Sequence, residues 1–447
     1  MHTLKRLPLV LMISLLMAAC APFSSSGGTT TPTTTTKPSQ HITPPSALTP
    51  VADTSPLTCP ADFAGSANCQ TPHSQRLAYG VESLMQRGYT GKGQTIVDIV
   101  SFGSPTLQQD MDTFDSQFGL PPITIQVLSP IGTVPFDPAN KDMQGWAGET
   151  ELDVQIIHAI APGANIVVLT SPVSETEGTI GLPQFLQLEQ YALSHHLGTI
   201  FSQSWGASEV TLKDSAGQKE LQQWDAFYKQ ATTQQGITFF GSSGDNGATD
   251  YTDLQATKLS TTPTTSFPTD EPWVTSTGGT ALQRQPGTPT FTESAWSGSG
   301  GGFSAFYSEP SFQQTLPSSV QQELKNRRGV PDVAADADPN TGLAVYIGGW
   351  TLAGGTSAAA PLWSAITAIA NQMAGHPLGF LNPALYKLAA SSTYSRDFRD
   401  ITNGNNSTPV NGKLVQGYNA APGWDPITGL GSPNAQNLIP DLIAAMK

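Results

Sequence analysis

The chain has 447 residues, of which 12% are charged, and its formal net charge is -14 at pH 7. Because no basic cluster offsets this negative charge, the composition argues against a nucleic acid as a partner. A low density of charge, together with 43 Gly and 36 Pro, is typical of a loop-rich secreted protein. A low density of charge also suits a protein that works in acid. Ion pairs that involve carboxylates lose their stabilising effect there, because the carboxylates become protonated.

The N-terminus has the pattern of a signal peptide, which we assign to residues 1–19. Lys5 and Arg6 precede an apolar run that is too short to be kept as a membrane span, and Cys20 follows it. The sequence Leu-Met-Ala-Ala-Cys that ends at Cys20 resembles the lipobox of bacterial lipoproteins, in which the cysteine becomes lipidated. We therefore expect an extracytoplasmic protein, secreted or anchored to the cell surface, whose only membrane contact is a lipidated Cys20. Ordinary secretion with cleavage nearby is the alternative.

Three further regions follow the signal peptide. Residues 20–57 comprise Cys20 and a stalk rich in Thr, Ser and Pro, a composition that predicts disorder. Residues 58–70 contain Cys59 and Cys69, which we expect to form a local disulfide in an oxidising compartment. From residue 71 to 447 strand and helix patterns alternate without an internal repeat, so we interpret this range as one domain.

The pattern of that domain predicts an α/β fold. Apolar, strand-like runs occur at Thr95–Val100, Ile123–Val127, Asn165–Leu169, Thr199–Phe201, Ile237–Gly241, Trp273–Thr275 and Leu343–Tyr346. Helical patterns occur at Pro105–Phe118, Gly148–Ile160, Leu182–His195 and Glu220–Gln235. Their alternation predicts a doubly wound, mostly parallel sheet with helices on both faces. In such a sheet, functional sites collect beyond the carboxyl ends of the strands.

The helix predicted over residues 148–160 carries two acids on its apolar side. Glu149 and Asp153 project within about 40° of each other and fall inside an apolar stripe. Carboxylates on a buried face are costly unless they are protonated, paired or used. Glu151 and His158 are predicted on the opposite, solvated face. The alternative is a helix start that carries acids to suit its dipole, which explains Glu149 better than Asp153.

A third acid, Asp245, follows the strand-like run Ile237–Gly241 in a loop rich in Gly and Ser. An acid at the carboxyl end of a strand lies where α/β folds place reactive groups. Because Asp-Asn-Gly is also a common turn sequence, this signal is weak when taken alone.

Ser357 lies between a glycine pair and an apolar helical pattern. The unpaired N–H groups and the dipole of a helix start favour negative charge, which suits a nucleophilic serine whose attack creates an oxyanion. The alternative is a serine that caps the helix after a glycine turn. None of the seven histidines has a Gly-flanked catalytic setting, and no G-x-S-x-G elbow is present. If Ser357 is a nucleophile, its base must be a carboxylate.

Taken together, Ser357 within GGTSAAAP, Glu149 and Asp153 within GETELD, and Asp245 within SSGDNGA resemble the sedolisin family of serine-carboxyl peptidases. The similarity runs from about residue 71 to 435 and includes the segments TGKGQTIVDI, SQSWG, SGSGGGFS and GVPDVAADADP. It implies a subtilisin-like fold and cleavage of peptide bonds in acid. By this resemblance Ser357 is the nucleophile, Glu149 its general base, Asp153 the hydrogen-bond partner of Glu149, and a protonated Asp245 part of the oxyanion hole.

The resemblance also implies one structural Ca²⁺ near the C-terminus. Its ligands would be the carboxylates of Asp400 and Asp425 and the backbone carbonyls of Ile401, Ala421 and Gly423. Most relatives have glycine at the position of Ala421, a change that a carbonyl ligand tolerates. Without the resemblance, Asp425 has the pattern of a turn residue.

Typical relatives carry a long N-terminal prosegment, whereas a signal, a stalk and a short disulfide loop precede the peptidase-like region of this sequence. We hypothesise that the domain folds without a prosegment, helped by the disulfide and Ca²⁺. A monomer that acts on protein or peptide substrates is the leading interpretation. Two alternatives stay open: a non-catalytic binding lipoprotein on a peptidase scaffold, and another acyl hydrolase that uses the same serine and carboxyls.

Overall fold

The computed structural model describes residues 58–63, 66, 68–284 and 290–447. The predicted signal peptide, Cys20 and the stalk that ends at residue 57 lie outside the described residues. Within the described part, Cys59 and Cys69 form the disulfide that the sequence predicts. No described helix is both long enough and apolar enough to cross a membrane.

One sheet of eight strands forms the centre of the structure. In chain order its strands are β1 Thr95–Ser101, β2 Gln126–Leu128, β3 Asn165–Ser171, β4 Ile200–Gln203, β5 Thr238–Ser242, β6 Thr275–Arg284, β7 Phe291–Ala295 and β8 Val333–Asp336. The order across the sheet is β8-β6-β5-β4-β1-β3-β2, and every pair along this path is parallel. Strand β7 pairs with β6 in the antiparallel sense. The predicted doubly wound, mostly parallel α/β fold is confirmed.

Helices cover both faces of this sheet. They are α1 Pro72–Ala78, α2 Glu82–Met85, α3 Leu107–Phe118, α4 Lys141–Ile160, α5 Leu182–Ser194, α6 Ser215–Gln235, α7 Ser318–Leu324, α8 Ala359–Ala374, α9 Asn382–Ala389, α10 Tyr394–Asp397 and α11 Ala435–Ala445. Successive side chains of a strand point to opposite faces. Ile96 and Val100 of β1 therefore pack in a core with α4 and α8, whereas Val97 and Ile99 pack in a second core with α5 and α6.

Short antiparallel pairs lie outside the main sheet. They join Ala207–Ser208 to Ser266–Phe267, Gly302–Ser308 to Arg327–Val330, Ala344–Tyr346 to Trp350–Leu352, Phe398–Arg399 to Ser432–Pro433, and Thr408–Val410 to Lys413–Val415. The prediction that Leu343–Tyr346 belongs to the parallel sheet is wrong, because Ala344–Tyr346 pairs with Trp350–Leu352 in the antiparallel sense. The chain turns back at Gly348, which has a φ of +62°, so this segment is one arm of a hairpin.

Two other predicted elements are longer than their patterns suggest. The helix predicted from residue 148 begins at Lys141, because the Asn140 side chain caps it by accepting hydrogen bonds from the N–H groups of Asp142 and Met143. The strand predicted at Trp273–Thr275 is only the approach to β6, which continues to Arg284.

Candidate active site

The structure brings Ser357, Glu149, Asp153 and Asp245 together at the carboxyl ends of the central strands. Glu149 and Asp153 lie on α4, and Asp245 lies in the loop that follows β5. Ser357 lies in a short 3-10 turn, Thr356–Ala358, that leads directly into α8. Helices α4 and α8 pack against each other over β1 and β4, so residues distant in the sequence meet in one place.

Ser357 occupies the predicted position at a helix start. It is half-buried, and its hydroxyl interacts with the Glu149 carboxyl. The Ser204 hydroxyl, just beyond the end of β4, donates to the Ser357 carbonyl oxygen at 3.2 Å. The same hydroxyl is 2.8 Å from Asp153 Oδ1. Ser204 thus joins the turn that carries Ser357 to the helix that carries Glu149 and Asp153.

The acids of α4 form a connected set that includes Asp98, a residue that the sequence analysis did not select. Asp98 lies on β1 and is fully buried on the face that packs against α4. Asp98 and Asp153 hydrogen-bond each other. Besides Asp153, only the backbone at Ile99 hydrogen-bonds Asp98 among the described residues, and Oδ2 of Asp153 has no N–H or hydroxyl donor there. A proton must therefore lie between the two carboxyls, since two adjacent buried carboxylates would repel. Asp98 could have been found from the sequence, because it is the one charged residue inside the apolar run Thr95–Val100.

Burial controls the protonation of this set. Burial raises the pKa of Glu149 to about 8, while its interaction with the Ser357 hydroxyl acts in the opposite direction. Burial, followed by the charges of Asp98 and Glu149, raises the pKa of Asp153. Burial also raises the pKa of Asp98 to about 7. These side chains hold protons under conditions in which ordinary carboxyls have lost them.

The prediction that Glu151 and His158 face solvent is wrong, because both side chains are fully buried. Glu151 accepts a hydrogen bond from the Ser104 hydroxyl at 2.7 Å. His158 Nε2 lies 2.9 Å from the Pro121 carbonyl oxygen and 3.2 Å from the Asp115 carboxylate. Helix α3 and the segment after it cover this side of α4, so the helix has no solvated face here. The helical wheel correctly placed Glu149 and Asp153 on the face that packs in the protein. It could not predict whether Glu151 and His158 are exposed to solvent.

Asp245 is held by Thr356, the residue directly before Ser357. Oδ1 of Asp245 accepts hydrogen bonds from the Thr356 N–H at 2.7 Å and from the Thr356 hydroxyl at 3.0 Å. Oδ2 faces Gly355, where an added Cβ would lie only 2.5 Å from it. Burial of the carboxyl raises the pKa of Asp245 and the bonds from Thr356 oppose this, although the residue keeps exposed surface at the mouth of the cleft. The hydrogen bonds from Thr356 to Asp245 were not predicted from the sequence.

Four of the five predicted calcium ligands contact one another in pairs. Both carboxylate oxygens of Asp400 lie 3.1 Å from the Gly423 N–H, and Asp425 Oδ2 accepts from the Ala421 N–H at 3.3 Å. Burial raises the pKa of the nearby Tyr394 hydroxyl, and the charges of Asp400 and Asp425 raise it further. Burial raises the pKa of Asp425 to about 6. No group of three or more His, Cys, Asp or Glu side chains in the described chain could hold a metal. The predicted set has two carboxylates plus carbonyls, and this chemistry fits a hard divalent cation.

The chain is similar in sequence to known peptidases. A profile described as Subtilase family matches residues 139–400, more than half of the chain. Kumamolisin of Bacillus sp. (strain MN-32) is 34% identical over 367 residues, which cover 80% of this chain and 61% of that protein. Sedolisin of Pseudomonas sp. (strain 101) is 33% identical over 352 residues, 76% of this chain and 56% of that protein. Tripeptidyl-peptidase 1 of Homo sapiens is 32% identical over 329 residues, 67% and 53% respectively.

Among solved structures, the fold is similar to "Pseudomonas sedolisin (serine-carboxyl proteinase) complexed with two molecules of pseudo-iodotyrostatin". The TM-score is 0.69 at 27% identity, and the match covers 84% of this chain and 98% of that chain. The chain spans 53% to 61% of the length of these curated relatives. The chain belongs to the subtilase family and, within it, to the sedolisins, which are serine-carboxyl peptidases.

Proposed function

We propose that this protein hydrolyses peptide bonds of protein or peptide substrates at acid pH through an acyl-enzyme on Ser357. One observation supports this most directly. The Ser357 hydroxyl interacts with the carboxyl of Glu149, while Asp245 is held on the neighbouring residue of the same turn. A nucleophile, a base and an acid thus meet at one helix start, which is the arrangement that acyl transfer needs.

Glu149 is the proposed general base. As Ser357 Oγ attacks the substrate carbonyl carbon, its proton passes to Glu149, which then donates it to the leaving amine. A water molecule attacks the resulting ester, and Glu149 takes its proton and returns it to Ser357. Glu149 must be ionised when attack begins. The Ser357 hydroxyl favours this ionised form and burial opposes it, so at acid pH the reacting species is the minor fraction in which Glu149 has lost its proton.

Asp245 is the proposed acid of the oxyanion hole. Its Oδ1 already accepts two hydrogen bonds from Thr356, so the proton belongs on Oδ2, which faces Gly355. In this state Asp245 donates to the oxyanion of the tetrahedral intermediate, and the Ser357 N–H is a second donor. An ionised Asp245 would repel the oxyanion. Activity should therefore be present below the raised pKa of Asp245 and lost as the pH rises through it.

Two further properties belong to the proposal. One Ca²⁺ is held by Asp400 and Asp425 with the carbonyls of Ile401, Ala421 and Gly423, where it supplies positive charge to two neighbouring carboxylates. The protein works outside the cytoplasm as a monomer, secreted or anchored through a lipidated Cys20, and this rests on the sequence pattern of its N-terminus.

The test is digestion of a denatured protein substrate at about pH 4, where an acid with a raised pKa keeps its proton. We expect wild type to release peptides and Ser357→Ala to lose at least about a thousandfold in rate. Ser116→Ala, which changes an exposed serine of α3, is the matched control and should keep full activity. Cleavage of esters alone would favour another acyl hydrolase. Substrate binding without any turnover would favour a binding lipoprotein.

A further inference from the structure

A second group of carboxyls lies beside the candidate site, and the mechanism above does not use it. We infer that Glu175, Glu177 and Asp250 form a pocket that binds a lysine or arginine side chain of the peptide substrate. We call these three residues the carboxyl pocket. The inference rests on the proposed function, because it assigns a substrate class to the same cleft.

The carboxyl pocket is built at the edge of the sheet where Ser357 lies. Glu175 and Glu177 follow β3, and Asp250 stands five residues after Asp245 in the loop that follows β5. Glu177 Oε2 accepts from the Ser208 N–H and from the Thr211 hydroxyl, each at 2.9 Å. The carboxyl of Glu177 is therefore held in place by its own neighbours.

Asp250 links the pocket to the catalytic groups. It is partly exposed, and its Oδ1 accepts from the Asn246 side chain at 3.1 Å and from the Tyr251 N–H at 2.9 Å. The Ser266 hydroxyl donates to its other oxygen. The charge of Asp250 acts on Glu175, Glu177 and Asp245, so all four carboxyls lie within electrostatic reach of one another.

Among the described residues, no positive charge forms an ion pair with the three acids of this pocket, and Lys258 acts on Asp253 beside it. The groups that face it from neighbouring elements are Asp142 on α4, Asp253 and Tyr251, and these are acidic as well. Three clustered carboxyls without a counter-ion are unfavourable in the free protein and would be stabilised by a cation from outside.

Unused hydrogen-bonding capacity points to the kind of cation. Glu175 is only 4% exposed, yet its Oε1 has no hydrogen-bond partner among the described residues, and the buried Ser208 hydroxyl also lacks one. The charge of Glu177 acts on Glu175, so this unpartnered oxygen belongs to the same cluster of carboxyls. An ammonium or guanidinium group carries several N–H donors on a long stem and can satisfy such oxygens from the cleft. A bare metal ion fits less well, since no group of the described residues has the arrangement to hold one.

Protonation makes the proposed preference dependent on pH. Burial raises the pKa of Glu177 to about 8, with the charge of Asp250 adding to this, and burial also raises the pKa of Glu175 and Asp250. In strong acid the pocket is therefore neutral and attracts a cation weakly. As the pH rises, the pocket ionises and the preference for a basic side chain should grow.

The test compares two internally quenched peptides that differ only in carrying lysine or norleucine at one position, which is scanned along both sides of the scissile bond. At the preferred position we expect wild type to favour lysine by about tenfold in kcat/KM, with a larger ratio at pH 6 than at pH 4. The double variant Glu177→Gln/Asp250→Asn should bring this ratio to about one. Glu189→Gln, which removes a buried carboxyl on α5 outside the pocket, should keep the wild-type ratio.

Binding to Ser357→Ala separates this inference from the proposed function. If that variant binds the lysine peptide more tightly than the norleucine peptide, the inference about the carboxyl pocket is supported. This holds even if wild type cleaves neither peptide and the proposed function fails. Equal affinities and equal kcat/KM values for the two peptides in wild type would overturn the inference. A double variant that folds and keeps the lysine preference would overturn it too. The comparison of the two peptides in wild type decides the matter if the double variant does not fold.

Discussion

Gly355 shows how narrow the tolerance of the candidate site is at the level of single residues. It precedes the turn that carries Ser357 and has a φ of +89°, a conformation that L side chains rarely adopt. The absence of a side chain lets Asp245 approach to a distance at which a Cβ would meet its Oδ2 at 2.5 Å. The glycine is needed both for the backbone and for the position of the acid.

Gly355→Ala should therefore lower kcat/KM by about a hundredfold or more, since the methyl group displaces Asp245 from the oxyanion position. The measurement is peptide hydrolysis at acid pH, with thermal unfolding to show that the variant is folded. Gly349→Ala is the matched control, because no atom lies within 4 Å of the added Cβ and the backbone there needs no positive φ. Equal activity of Gly355→Ala and wild type would mean that Asp245 does not act where we place it.

Asp98 tests the role of the shared proton. Its charge raises the pKa of Glu149 and of Asp153, so Asp98→Asn should lower the pKa of Glu149 and shift the acid limb of the kcat/KM profile to lower pH. Asp110→Asn, a change of a buried acid on α3, provides the control. An acid limb that stays in place in Asp98→Asn would contradict the proposed connection to Glu149.

At the scale of elements, α4 explains which features of the site could be predicted. The motif around Glu149 and Asp153 belongs to one helix, so its spacing in the sequence is also its spacing in space. Asp98 approaches from β1, and the pairing that makes it important is not visible within either segment. Glu151 and His158 were misplaced for a similar reason: a helical wheel shows which side chains share a face, not which neighbouring elements cover that face.

The same distinction holds for the strands. Six of the seven parallel strands could be anticipated in outline, because each is an apolar run, whereas Val333–Asp336 was not predicted. Leu343–Tyr346 has the same apolar pattern, yet it pairs with Trp350–Leu352 after the turn at Gly348. Local hydrophobicity indicates that a segment is a strand but does not identify its partner.

The C-terminal loops provide a prediction about metal binding. If Asp400 and Asp425 share one Ca²⁺, its binding to the folded state should raise Tm by about 2–4 °C relative to a chelator. Thermal unfolding with Ca²⁺ and with chelator measures this, and Mg²⁺ serves as the control for ionic effects. Asp425→Asn should abolish the shift. The same Tm with and without Ca²⁺ in wild type would show that these loops need no metal.

Among the described residues, several buried acids have another acid as a hydrogen-bond partner, whereas others, such as Asp332 with Arg328, pair with a base. The hydrogen-bonded pairs of two acids are Asp98 with Asp153, Glu151 with Asp110, Glu209 with Asp270, and Glu271 with Asp225. Burial raises the pKa of Glu151 to about 7, and burial also raises the pKa of Asp270 and Glu271. Each pair is satisfied only while it keeps a proton, so the fold itself favours acid conditions.

The direction of the stability change follows from these pKa values. The unfolded chain releases the protons of its carboxyls near about pH 4, whereas the folded chain keeps them up to the raised pKa values. The stability that these protons supply is therefore complete below about pH 4. It is lost as the pH rises through about 7 for Glu151 and Asp98 and about 8 for Glu177. We expect Tm to fall steadily between pH 4 and 8. A Tm that is constant or rises over this range in calorimetry would contradict the prediction.

The central claim is that Ser357 is activated by a carboxyl group, and the acyl-enzyme tests this most directly. Wild type and Glu149→Gln are mixed with an activated peptide ester at about pH 4 and quenched, and the adduct is located by peptide mass mapping. The account predicts an acyl group on Ser357 that forms about a thousandfold more slowly in Glu149→Gln. An adduct on a different residue, or equal rates of acylation in the two proteins, would contradict it.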